Sequence, residues 1–175
     1  RFSCVITYND VKQAISANPD AKVLYITYPN YYGLCCDLEK IIALAHMAHM
    51  TVIVDSAHGA HFGFSELTPI SCGEAGADIW VMSLHKNLNC PNQTACICVG
   101  KGCTIDSGAV KKRINMLQTT SPSYLFLASM EESIVQMSKE GERKIEEAAA
   151  LAEKFIHNLN NLGGYKCVNL DVPTS

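Results

Sequence analysis

Short runs of apolar and β-branched residues alternate with segments of helical spacing, and this alternation constrains the fold more than any other feature. The runs cover residues 23–28, 51–55, 78–83 and 95–99, and such runs are typical of buried strands. After the first run, Asp37 is a candidate helix cap before apolar residues at helical spacing. The alternation predicts an α/β fold with a mainly parallel sheet flanked by helices.

The later part of the chain has a helical composition. Apolar residues trace one face over 131–161, and Gly163 and Gly164 end the pattern. A shorter helix is predicted over 70–75 with Gly76 as its stop, and a strand over 165–170. We therefore predict a large domain over 1–130, a connecting helix over 131–163 and the start of a small C-terminal domain over 164–175.

Composition and charge narrow the class of protein. The net charge is −3 and hydrophobic residues make up 48% of the chain, which favours neither nucleic acid nor an anionic membrane as a partner. No leader-like segment is evident, so we expect a cytoplasmic protein. The chain starts at Arg1 and ends at Ser175 in mid-pattern. We therefore expect the natural chain to extend past both ends and further chain or a partner to cover apolar surface.

Nine cysteines are scattered through apolar segments. In a cytosolic protein they are expected to be reduced and to act as small hydrophobic residues. The alternative is a metal site built from Cys90, Cys96, Cys98 and Cys103, although these lack the paired Cys-x-x-Cys spacing of common zinc sites.

Two polar clusters follow predicted strands. Residues 55–61 read Asp-Ser-Ala-His-Gly-Ala-His, and residues 83–86 read Ser-Leu-His-Lys. Taken singly, Asp55 could cap a turn and Lys86 could be a surface lysine. Ligands of open parallel sheets bind at the carboxyl ends of strands, so the two clusters together indicate a ligand that uses both an acid and an amine.

These residues resemble the Orn/Lys/Arg decarboxylases, pyridoxal-phosphate enzymes of the aspartate-aminotransferase fold (fold type I). The resemblance covers about residues 23–129. It rests on the motifs Tyr-Pro-Asn-Tyr-Tyr-Gly at 28–33, Asp-Ser-Ala-His-Gly-Ala-His-Phe-Gly-Phe at 55–64, Pro-Ile-Ser at 69–71, Ala-Gly-Ala-Asp at 75–78, Ser-Leu-His-Lys at 83–86, Gln-Thr-Ala at 93–95 and Thr-Ser-Pro-Ser-Tyr at 120–124. Residues 87–92 depart from it, since they read Asn-Leu-Asn-Cys-Pro-Asn where the family usually has Thr-Leu-Pro-Ala-Leu-Thr.

The resemblance implies roles for the first cluster and for the lysine. Lys86 would form the Schiff base with pyridoxal phosphate, as a neutral amine favoured by burial and nearby positive charge. Asp55 would pair with the pyridine nitrogen and keep it protonated. Ala57 would pack on one face of the ring, and His58 would lie near its phenolic oxygen.

It also implies a set of phosphate contacts. Ser83 and His85 would donate hydrogen bonds to the phosphate. Thr120 and Ser121 would reach the phosphate of a neighbouring subunit in a homodimer or higher homo-oligomer. The alternative for Ser121 and Pro122 is that they simply start a helix.

The implied activity is decarboxylation of ornithine, lysine or arginine to a polyamine or its precursor, and the chain by itself is expected to bind the cofactor poorly. Three alternatives stay open. One is another fold-type-I reaction, such as that of an aminotransferase or lyase. A second is a metallohydrolase with Asp55, His58 and His61 as metal ligands, and a third is an inactive remnant.

Overall fold

In the part of the chain that the structure describes, four strands form one sheet in which spatial order follows chain order. They are β1 (Val23–Thr27), β2 (Thr51–Asp55), β3 (Ile79–Met82) and β4 (Cys96–Val99). The first three are parallel and β4 is antiparallel to β3. This architecture confirms the predicted α/β class with a mainly parallel sheet. The computed structural model describes residues 5–165 and residue 167, so most of the strand predicted over 165–170 lies outside the described residues.

Within the described residues, five helices accompany the sheet: α1 (Tyr8–Ala17), α2 (Leu38–Met47), α3 (Leu84–Asn87), α4 (Ser107–Leu117) and α5 (Tyr124–Asn161). The helix predicted over 131–161 begins earlier, at Tyr124, because the Ser123 side chain accepts a hydrogen bond from the backbone N–H of Phe126 and caps it. Among the described residues, no helix combines the length and apolar character needed to cross a bilayer.

The main core lies between α2 and one face of the sheet. Asp37 caps α2 by accepting from the backbone N–H of Lys40, as its position predicted. Side chains of α2 at helical spacing pack against alternate residues of β1 and β2, and each full burial of such a side chain contributes roughly 1.5–3 kcal/mol. The buried set includes Ile26, Leu38, Ile41, Ile42, Ala45, Val52 and Val54.

The register aligns the last residue of β2 with one residue of each neighbouring strand. Asp55 pairs with Thr27 on one side and with Val81 on the other. Because side chains alternate along a strand, Tyr25 and Asp55 lie on the face opposite the one that α2 covers. The polar cluster after β2 therefore begins at the carboxyl edge of the sheet.

The segment predicted as a helix over 70–75 forms only turns, so this prediction is wrong. The Ser71 hydroxyl donates to Glu74 at 2.6 Å, and the N–H of Ala75 donates to the Ser71 carbonyl at 2.9 Å. A single turn is closed in this way. Gly76 then has φ +88°, a left-handed conformation suited to glycine, and the chain turns directly into β3 with no room for a second helical turn.

A second, smaller core joins the site region to the first half of α5. Ala60, Leu84 and Leu88 are buried there and pack with Met130 and Met137. Further along α5, a Cβ atom added at Gly141 would lie 3.0 Å from Cβ of Phe64. The helix therefore supports both the chain segment that follows β2 and the short helix α3.

Candidate active site

Asp55 ends β2 with both carboxylate oxygens hydrogen-bonded. The phenol of Tyr25 donates to Oδ2 at 3.1 Å, and the backbone N–H of Ala57 donates to Oδ1 at 3.0 Å. Partial burial, followed by the hydrogen bond and charge of Asp55, raises the pKa of Tyr25. The carboxylate is half-buried, and its fixed orientation makes it a defined acceptor at the sheet edge.

A tight turn after Asp55 brings His58 back over this edge. The backbone N–H of Ser56 donates to Val81 at 2.9 Å, and that of Gly59 donates to Ser56 at 2.9 Å. A Cβ atom at Gly59 would overlap Oγ of the buried Ser56 and lie 3.1 Å from Cδ of Pro29. The turn therefore needs glycine at position 59 because no space is left for a side chain.

Lys86 and His58 meet from two different strand ends. Lys86 lies on the one-turn helix α3 directly after β3, and its Nζ is 3.2 Å from Nε2 of His58. A lysine ammonium has three donors and no acceptor, so it donates and Nε2 accepts. Lys86 is exposed in the described chain, which differs from the expected burial because α3 lies at the rim of the sheet.

Two of the four predicted phosphate-binding residues, Ser83 and His85, shortly precede Lys86 in the chain. Ser83 is the N-cap of α3, but its hydroxyl makes no capping bond, so it can serve another acceptor. Nδ1 of His85 lies 2.8 Å from the carbonyl of Thr94. A carbonyl only accepts, so Nδ1 carries the proton, and Nε2 can donate to an anion when the ring is protonated.

The remaining predicted residues lie elsewhere. The ring of His61 packs on Phe62 with centroids 4.7 Å apart, its Nδ1 is buried without a partner in the described structure, and burial lowers its pKa. Thr120 and Ser121 lie in the exposed loop between α4 and α5. Ser121 and Pro122 do not themselves start α5, because its N-cap is Ser123 and its first helical residue is Tyr124.

The proposed metal ligands do not converge. Asp55 is held by Tyr25, His58 by Lys86, and His61 packs on Phe62. In the part of the chain that the structure describes, no group of three or more His, Cys, Asp or Glu side chains could hold a metal ion. The alternative sites at Asp55, His58 and His61 and at the four cysteines therefore gain no support from the described side chains.

Sequence patterns missed three residues that hold the site. Tyr25 binds Asp55, Tyr31 packs edge-on against His58, and the carbonyl of Thr94 fixes His85. Alternation along β1 could have placed Tyr25 on the face of Asp55. Nothing in local periodicity indicates the contacts of Tyr31 or Thr94.

Comparison with known proteins places these features in a family. The family model described as Orn/Lys/Arg decarboxylase, major domain, matches residues 3–175. The chain belongs to this family. An arginine decarboxylase of Bacillus subtilis is 36% identical over 95% of this chain and 34% of its own length, and one of Bacillus anthracis is 37% identical over 93% and 33%. The chain thus spans about a third of the length of these curated relatives.

Solved structures share the fold of this Orn/Lys/Arg decarboxylase family member. An alanine–glyoxylate aminotransferase from Nostoc has a TM-score of 0.72 at 15% identity and aligns with 95% of this chain and 47% of its own. Mouse CSAD has a TM-score of 0.69 at 17% identity and aligns with 92% and 38%. A structure of SPT with PLP has a TM-score of 0.69 at 20% identity and aligns with 89% and 39%. At these identities the likeness concerns the fold.

The chemistry of the donor set at the sheet edge fits pyridoxal phosphate, the cofactor that membership of this family implies. A fixed carboxylate at Asp55 suits a protonated pyridine nitrogen, and the amine of Lys86 suits an aldehyde. Ala57 lies next to Asp55 through its backbone N–H, and its small side chain suits a flat ring. The free hydroxyl of Ser83 and the half-buried imidazole of His85 can donate to a phosphate.

Proposed function

We propose that the protein is a pyridoxal-phosphate-dependent decarboxylase of a basic amino acid, with Lys86 as the cofactor-bearing residue. The observation that carries the proposal is the meeting of Lys86 and His58 beside Asp55. An amine, an imidazole and a carboxylate are brought to one edge of the sheet from the ends of two neighbouring strands. The family match supplies the reaction class.

Each residue of the proposed site has a role that follows from the chemistry of its side chain. When bound, the cofactor supplies an electron sink for the electron pair left by departing carbon dioxide. Asp55 holds a proton on the pyridine nitrogen, and this proton maintains that sink. Lys86 presents its amine for covalent attachment, and His58 receives a hydrogen bond from that amine in the free protein. Ala57 admits the ring, and Ser83 and His85 bind the phosphate.

Arginine is the first substrate to test, because both relatives described above are arginine decarboxylases. Ornithine and lysine are the matched competitors, since they share the α-amino acid group and differ in the cationic tail. We also propose that Thr120 and Ser121 contact a phosphate across a homodimer. Their place in an exposed loop leaves both side chains free for such a contact.

The test is covalent trapping in the full-length protein. Wild-type protein mixed with pyridoxal phosphate and reduced with borohydride should carry the reduced cofactor on the peptide containing Lys86, and Lys86→Ala should carry none. Lys101→Ala is a matched control that should retain the label. Labelling of the Lys86→Ala variant at another lysine would reject the assignment.

The reaction itself is tested by release of carbon dioxide. Arginine labelled at its carboxyl carbon should release labelled carbon dioxide with wild-type protein and not with Lys86→Ala. Transfer of the amino group to a keto acid without carbon dioxide release would reject decarboxylation and favour an aminotransferase. In that case a reduced adduct on Lys86 would still identify it as the cofactor-bearing lysine.

A further inference from the structure

The loop after β1 places an exposed tyrosine ring against His58. The rings of Tyr31 and His58 meet edge to face, with centroids 5.9 Å apart and planes at 77°. Tyr31 meets Tyr32 in the same manner at 5.4 Å and 86°. Edge-to-face contacts of this kind are favourable. Because Tyr31 is 79% exposed, core burial does not account for its position.

The backbone around Tyr31 is held by Asn30. The side-chain oxygen of Asn30 accepts from the backbone N–H groups of Tyr32 at 2.9 Å and Leu34 at 3.0 Å. The N–H of Asn30 donates to the carbonyl of Leu34 at 2.9 Å, and Gly33 turns the chain at φ +80°. The loop is therefore built to present Tyr31 in one place.

The contact between His58 and Lys86 requires a particular state of the imidazole. Because the ammonium of Lys86 can only donate, Nε2 of His58 must be the acceptor, and a neutral ring must then carry its proton on Nδ1. The ring is only half-buried. Tilting the ring out of its present plane would turn Nε2 away from Lys86, and the same motion would break the edge contact with Tyr31.

We propose that Tyr31 is a positioning residue that holds the imidazole of His58 with Nε2 directed at Nζ of Lys86. The proposal deepens the proposed function and rests on it in one respect, namely that Lys86 is the amine presented to the cofactor. The strength of an aromatic edge contact corresponds to about a twofold to tenfold change in the population of the held ring.

The test reads the tautomer of His58 in the cofactor-free, full-length protein. Nuclear magnetic resonance of protein with ¹⁵N-labelled histidine distinguishes a proton on Nδ1 from one on Nε2, and loss of a signal in His58→Gln assigns the residue. Wild type and Tyr31→Phe should show the Nδ1-protonated form. Tyr31→Leu should shift the ratio of the two forms toward Nε2 protonation by about twofold to tenfold.

Tyr165→Leu is the matched control, since Tyr165 is also largely exposed at 68% and should leave the ratio unchanged. An unaltered ratio in Tyr31→Leu, or failure of Tyr31→Phe to preserve the wild-type ratio, would overturn the positioning role. Borohydride trapping on the same wild-type sample separates the two claims. Absence of an adduct on Lys86 would reject the proposed function, whereas the tautomer ratio would still decide the role of Tyr31.

Discussion

The phenol of Tyr25 donates a hydrogen bond to Oδ2 of Asp55 at 3.1 Å, across two neighbouring strands and 30 residues of chain. Asp55 ends β2, whereas Tyr25 stands in the middle of β1, diagonal to it in the parallel register. The carboxylate that we expect to face the pyridine nitrogen is thus oriented by a side chain of the neighbouring strand.

Replacement of Asp55 by asparagine should show how much the negative charge of this side chain, rather than its size, contributes to catalysis. In the full-length enzyme, Asp55→Asn keeps the size of the side chain but removes the negative charge that keeps the pyridine nitrogen protonated. We expect kcat to fall by about 10²-fold or more, as for loss of a preorganised electrostatic group. Tyr25→Phe removes one partly exposed hydrogen bond and should cost less than about tenfold. Steady-state decarboxylation measures both, and equal losses would contradict the assigned roles.

Gly59 should tolerate no side chain. Gly59→Ala would force a Cβ atom into Oγ of Ser56, which is only 1% exposed and cannot move into solvent. We expect a loss of about 1–3 kcal/mol in the free energy of unfolding, measured by urea denaturation. Gly102→Ala is the control, because a Cβ there meets nothing within 4 Å. Similar losses in the two variants would disprove the packing argument.

His61 should make stability depend on pH. Burial lowers the pKa of His61 in the folded protein below the ordinary value of 6.5. At a pH between the two pKa values, the unfolded chain therefore binds a proton at this residue and the folded chain does not. The resulting stability is fully present above pH 6.5 and is lost as the pH falls toward the folded pKa. Melting temperatures at pH 7.5 and about 5.5 should therefore differ more for wild type than for His61→Gln.

The exposed His157 provides the comparison for that experiment. His157→Gln makes the same exchange of residue types at an exposed position of α5, and it should keep the wild-type difference between the two melting temperatures. If His61→Gln also keeps it, another group causes the acid sensitivity.

Local pattern in the sequence predicted the four strands, α2 and most of α5, but it did not predict α1, α3 or α4. Alternating apolar runs located the four strands to within a residue or two, and helical spacing after Asp37 located α2. The prediction failed over 70–75, where apolar and small residues suggested a helix but the bond between Ser71 and Glu74 closes only one turn. Competition between side chains and backbone for hydrogen bonds is invisible to hydrophobic periodicity.

The sequence by itself determined the family and the polar residues that follow β2 and β3, because short contiguous motifs identify both. Only the tertiary structure decided which of these residues meet. The contacts of Lys86 with His58, Tyr25 with Asp55 and Tyr31 with His58 join segments from different strands and loops. Such contacts depend on strand order and register, and the periodicity of a single segment reports only which of its faces is buried.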